Sequence, residues 1–173
     1  MDHFGFIHEK LDIKLLILFV LRRLPGTVEP STLGDLCRAC DNGVGYFDYS
    51  DCLAELIENG LIDESAEGFA ITEKGARNID VVDTSLPYSV RSKAVRLLEP
   101  ERRRLLRAAM IKAGHRMEKD GCFVHLSMSD GEGEIFELTI LVGDEEQAVR
   151  IEKRFRAEAE TLYHQTVELL DKR

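Results

Sequence analysis

"GYFDYSDCLAELIENGLIDESAEGFAITEKG", residues 45–75, decides the reading of the N-terminal half. A helix is predicted from about Phe47 to Asn59, because Tyr49, Cys52, Leu53, Leu56 and Ile57 recur at helical spacing on one face. Asn59-Gly60 supplies the left-handed stop that ends such a helix. "LID" and "FAIT" are short enough to be strands, with "ESAEG" as the tip between them. Thr72 stands where the cap of a further short helix through Asn78 belongs.

Working towards the N-terminus, Asp41-Asn42-Gly43 is a turn. Before it, "PSTLGDLCRAC" places Leu33, Leu36, Cys37 and Cys40 on one helical face, with Ser31 or Thr32 as the expected cap. "KLDIKLLILFVLRRL", Lys10 to Leu24, reads as a helix stopped by Pro25-Gly26. Its centre is apolar nearly all round, which means burial on more than one side. The run "LLILFVL" is too short to cross a bilayer, which takes about twenty apolar residues. Arg22 and Arg23 follow it, with no small-residue cleavage site, so no signal peptide is read there.

Working towards the C-terminus, "DTSLPYS" (Asp83 to Ser89) is rich in turn formers and marks the expected domain boundary. A linker helix is predicted from near Pro87 to at least Leu105, with Pro100 interrupting or restarting it. Arg107 to Met117 fits helix by propensity but also alternates as a strand. It is assigned as strand, because "CFVHLSMS" and "EIFELTILV", joined at Asp130-Gly131-Glu132-Gly133, form a hairpin that a third strand would steady. Asp144 caps a last helix whose residues Ala148, Ile151, Phe155, Ala159, Leu162, Thr166 and Leu169 make a heptad-like seam. The seam outruns what three strands can cover, so Ile151, Phe155, Leu162 and Leu169 are candidates for contact with a second copy in a homodimer.

The expected fold is therefore α+β. A winged helix-turn-helix domain occupies residues 1–84. A linker helix, a small antiparallel sheet and a long terminal helix fill 85–173 as a dimerisation or sensor module. "LIENGLI" followed by "FAITEKG" resembles the recognition-helix end and wing of bacterial regulators of the PadR and MarR kinds. "CDNGVGYFDYSDCLAELIENG", with "KLDIKLLILFVLRRLPG" before it, is similar to a bacterial family of unknown function with a winged-helix N-terminal half, described as candidate transcriptional regulators. The resemblance implies a dimeric DNA-binding regulator in the cytoplasm.

Charge runs against that expectation. The chain carries a net charge of −9, which repels polyanions at long range. Between Arg38 and Lys74 stand nine acids and no base. Asp48, Asp51, Glu55 and Glu58 lie on the reading helix, and Glu64 and Glu67 on the wing tip. One carboxylate can accept a bond from a cytosine amino group. Four on the helix make a face that repels phosphate, each costing about 1 kcal/mol nearby even in water-like dielectric. The bases are elsewhere: Arg22 and Arg23, then Arg91, Lys93, Arg96, Arg102, Arg103, Arg104 and Arg107.

Two partner classes follow. A duplex would be held by Arg22, Arg23, Tyr46, Tyr49, Arg91, Lys93, Arg96 and Arg103. A basic protein would be held by the acidic face of Asp48, Asp51, Glu55, Glu58, Glu64 and Glu67. Tyr46, Phe47 and Tyr49 can anchor a partner, but the expectation is that they hold the helix onto the core.

No enzyme, cofactor, metal or membrane contact is expected. Cys37 and Cys40 sit near a helix end with no second close pair, so they and Cys52 and Cys122 read as reduced structural thiols. His115 and His125, beside Glu132, Glu134 and Glu137, fit the polar side of alternating strands. "SDGEGE" lacks the spacing of a calcium loop.

Overall fold

The structure, a computed structural model, describes residues 7, 9–119 and 121–171. The chain is α+β and divides into two compact units, Met1–Leu105 and Leu106–Arg173.

The first unit is built around α1 (Lys10–Arg23). Ile13 and every residue from Leu15 to Leu21 are buried, as the all-round apolar pattern requires. Leu24 leaves the helical conformation and Gly26 follows at φ +73°, so the stop lies at Pro25-Gly26 as expected. Around α1 pack α2 (Pro30–Cys40) and α3 (Tyr46–Glu58), which send in Leu33, Cys37, Cys40, Cys52 and Leu56. Neither Ser31 nor Thr32 caps α2: the helix starts at Pro30 with Glu29 in the cap position, and the Ser31 hydroxyl donates to the Glu29 carboxylate (2.9 Å). Proline suits a first helical turn because the N–H it lacks has no intrahelical partner there.

After α3 comes a hairpin, β1 (Ile62–Ser65) paired antiparallel with β2 (Gly68–Ile71), in a register running from Ile62–Ile71 to Ser65–Gly68. The loop before α2 adds a further rung on the other side of β2, with Val28 N–H donating to Phe69 O (2.8 Å) and Phe69 N–H to Val28 O (2.9 Å). That rung depends on Gly68, at φ +133°, where a Cβ would sit 2.1 Å from Val28 O. The element order of the unit is thus three helices, a two-stranded hairpin bridged by Val28, and then a fourth helix.

Next comes α4 (Glu73–Val82), capped by Thr72, whose Oγ1 accepts from Gly75 N–H (3.0 Å). After a 3-10 turn at Asp83–Ser85, α5 (Tyr88–Met110) passes through Pro100 without a break. The unit boundary therefore falls at Leu105, not at residue 84. Turn formers at 83–89 mark a change of direction only. Leu86 among them, and Val90, Ala94 and Leu98 beyond, are buried in the first core.

The second unit is a meander of β3 (Ile111–Glu118), β4 (Gly121–Ser129) and β5 (Glu134–Val142), with β4 central. The third strand exists but starts later than predicted: 107–110 belong to α5, and only from Ile111 does alternation correspond to pairing (Ile111–Met128 through Glu118–Gly121). Asp130 Oδ1 accepts from both Glu132 N–H and Gly133 N–H (2.9 Å each), which makes "SDGEGE" a turn. One face of the sheet is covered by α6 (Glu145–Asp171), capped by Asp144, which accepts from Gln147 N–H (2.7 Å). The core there comprises Ile111, Cys122, Val124, Leu126, Met128, Val142, Ala148, Phe155 and Ala159. At Glu158 (φ −128°, ψ 21°) α6 is kinked. Among the described residues no helix is long and apolar enough to cross a membrane.

Candidate interaction site

The outward face of α3 is set by the same periodicity that buries its other side. With Tyr49, Cys52, Leu53 and Leu56 turned inward, Phe47, Asp48, Asp51, Ala54 and Glu58 are left exposed in one stripe. At its head Phe47 is 82% and Tyr46 65% exposed, their rings edge to face with centroids 5.7 Å apart. The Arg38 guanidinium lies 5.9 Å from the Tyr46 ring centroid. Tyr49 alone of the three aromatics meets the expectation of a core role. At 5% exposure it has no surface to offer a duplex. Tyr49 shares a face with Cys52, Leu53 and Leu56, whereas Phe47 is turned away from that face and Tyr46 stands exposed as the first residue of α3.

The acids do not all stand free. Lys10 donates to Asp51 (3.2 Å), and Lys14 pairs with Glu55. These lysines are one turn apart on α1, and their carboxylates are one turn apart on α3, so the pairs form two rungs between packed helices. The Asp51 bond raises the Lys10 pKa, and the Lys14 ammonium lowers that of Glu55. Matched i,i+4 spacing in the two segments was the available sequence signal. It escapes notice because the pairs are 41 residues apart. Asp48, Glu58, Glu64 and Glu67 are exposed and make no ion pair among the described residues.

The predicted bases are largely occupied at home. Arg22 grips Asp80 with two bonds (2.9 and 3.0 Å). Arg23 lies over the Phe19 ring, 3.4 Å from its centroid. Arg102 and Arg103 share Glu99 (3.9 and 2.8 Å), and Arg104 holds Glu101 with two bonds. Arg91 donates to Leu86 O (3.1 Å). Arg107 reaches Glu160 (2.9 Å) within the second unit. Arg96 is exposed, Lys93 is half-buried, and neither makes an ion pair among the described residues. At α3's far end, Lys74 donates to Asn59 O (2.8 Å), where the helix dipole favours a cation.

The four cysteines are free and buried. Burial pushes the Cys37 thiol well up and Cys40 up to about 11, so neither is a ready thiolate. Among the described residues no group of three His, Cys, Asp or Glu side chains is placed to hold a metal.

In the second unit the structure assembles a cluster that the sequence reading scattered. Glu152, 8% exposed on the sheet-facing side of α6, bonds His115 Nδ1 of β3 (2.5 Å). Arg156 reaches both Glu152 (3.2 Å) and Ala113 O (2.5 Å), and Glu145 stands 3.7 Å from His115 Nε2. His125, by contrast, meets Thr139 (3.0 Å) on the other face. The Glu152 bond raises the His115 pKa above its ordinary value. A raised folded-state pKa contributes stability that is whole below about pH 6.5 and is lost as pH rises through the folded value. Hydrogen-exchange protection of β3 and β4 amides is expected to fall over that interval in the native chain. The fall should flatten in His115→Gln; an unchanged pH profile in that variant would separate His115 from the effect.

A family model matches residues 13–170, and its description is Domain of unknown function (DUF4364). The chain belongs to that family. The match covers most of both units. No curated protein and no solved structure matches the chain.

Proposed function

We infer that this member of the family is an acidic winged-helix interaction module, which uses α3 to dock a cationic segment of another protein. One observation carries the reading: the exposed stripe Phe47, Asp48, Asp51, Ala54 and Glu58 contains no base, and the lysines nearest it are held by Asp51 and Glu55. Exposed aromatics beside unpaired carboxylates fit a partner segment that offers Lys or Arg next to an apolar side chain. The reduced, buried thiols support a cytoplasmic setting.

The second reading is a dimeric DNA-binding transcriptional regulator. It is supported by the winged-helix order and by the family resemblance, and opposed by the charges. Parallel titrations of the full isotope-labelled chain separate the two. With a Lys/Arg-rich amphipathic peptide, amide shifts are expected along Phe47–Glu58, and Phe47→Ala with Glu58→Lys should weaken binding by roughly 10- to 100-fold. With mixed duplex fragments at about 50 mM salt, no salt-sensitive shift is expected. A steeply salt-dependent duplex complex, with α3 silent towards the peptide, would replace the module by the regulator.

A further inference from the structure

β5 ends the three-stranded sheet of the second unit. One of its edges pairs with β4, and among the described residues no strand and no side chain bonds the backbone of the other. The register shift at Met128/Ser129 lies before Phe136, so Phe136–Val142 is a regular ladder whose outer N–H and C=O groups are left to solvent. Leu138 is 40% and Leu141 54% exposed, because α6 packs chiefly over β3 and β4.

Folded proteins guard such edges with charge, proline or cover. The opposite edge, β3, is guarded: Lys112 and Arg116 are exposed along it, and Arg156 bonds Ala113 O. β5 is not. In "FELTILV", residues 136–142, Glu137 is the one charge and Thr139 the one other polar residue. A regular edge of this composition pairs readily with a further strand.

The strand is also complementary to itself. A twofold axis perpendicular to the sheet keeps each side chain on its own face and sets residues equally distant from the axis opposite one another. With the axis at Leu138, Phe136 meets Ile140 and Leu138 meets its own copy on the α6 side, while Glu137 meets Thr139 on the other side. One residue earlier, Glu137 would face Glu137, and like charges directly opposite are destabilising. One residue later, Glu137 would face the exposed Leu141.

We propose that β5 pairs antiparallel with β5 of a second copy about a twofold axis at Leu138, joining the two sheets into one with both α6 helices on the same face. The contact with a second copy thereby moves from α6 to the sheet edge. Of the α6 residues expected to make it, Phe155 is buried, stacked on Phe136 at 5.9 Å between centroids. Ile151 and Leu162 are half-buried against their own core, and only Leu169 is exposed.

The test is sedimentation of the full chain, joined to hydrogen exchange at two concentrations. The native chain is expected to be dimeric at micromolar concentration, with alternate β5 amides losing protection on dilution. Thr139→Glu sets a carboxylate against each Glu137 and should make the dimer dissociate roughly tenfold more readily. Adding Glu137→Lys turns both repulsions into attractions and should restore the dimer, a rescue that general misfolding would not show. Leu138→Lys places two cations at the axis and should weaken the dimer by roughly 100-fold. All three positions are exposed, so these variants leave the monomer's core intact. Register is read by oxidative cross-linking, the native cysteines being buried. Leu138→Cys alone should join two copies. Thr139→Cys alone should not, since its two copies would stand more than about 7 Å apart. A monomeric native chain, a dimer whose β5 amides exchange alike at both concentrations, a failed rescue, or cross-linking through Thr139→Cys alone would each overturn the proposal. A monomer whose β5 amides gain protection from an alternating Thr/Val peptide would give the edge to a strand of another protein instead.

Discussion

Phe155→Ala is expected to destabilise the second unit by about 3–5 kcal/mol, the range for deleting a buried aromatic ring. Phe155 is 1% exposed, and the aromatic group around it is continuous: Phe136 stacks on it, and Tyr163 meets Phe136 edge to face at 6.3 Å. The core it serves is small, with alanines at 148 and 159 as its other fully buried α6 contributions, so neighbours cannot collapse far into the space. Loss on this scale approaches the whole stability of a domain this size. Hydrogen exchange should therefore show protection vanishing from β3, β4, β5 and α6 while α1, α2 and α3 keep theirs. Phe155→Leu, which retains most of the volume, should lose markedly less. Equal loss in both units would mean that they fold as one cooperative block and not as two.

Replacing Asp48, Asp51, Glu55 and Glu58 together by their amides is expected to raise the affinity of the chain for duplex. Two effects add. Four like charges leave the face that a major groove would meet, each worth about 1 kcal/mol near a phosphate. Lys10 and Lys14, now held by Asp51 and Glu55, are also released towards the same face. Two freed cations should steepen the dependence of log affinity on log salt by about 2. Non-specific affinity at about 50 mM salt should rise by at least roughly tenfold, measured by fluorescence anisotropy on mixed fragments. No gain would show that the helix stays away from phosphate for reasons of shape, not of charge. Asp48→Asn with Glu58→Gln alone, which releases no lysine, should give less than half of the effect and leave the slope nearly unchanged.

Much of the local structure was legible in the residues. Thr72 and Asp144 cap their helices, Gly26 takes the left-handed conformation after α1, and Asp130 folds the hairpin turn. The all-round apolar run of α1 announced a central helix. Of the candidate site, the acidic stripe on α3 was readable from its spacing. The fate of its members was not: Asp51 and Glu55 are paired, while Asp48, Glu58, Glu64 and Glu67 are not. The bases read as a possible groove clamp are mostly tied to Asp80, Glu99, Glu101 and Glu160.

By itself the sequence determined where most helices and strands lie and which side of each is apolar, although it read 107–110 as strand and expected a break at Pro100 where α5 runs on. Those properties arise among residues within a turn or a hairpin of one another, through periodicity, capping and permitted φ. Tertiary structure alone decided that Lys10 and Lys14 lie across from Asp51 and Glu55, that α5 up to Leu98 belongs to the first core, and that Glu152 is buried against His115. Each depends on how two elements distant in the chain are rotated and docked. That choice is fixed by the packing of the whole core, and a side chain's immediate neighbours in sequence carry no record of it.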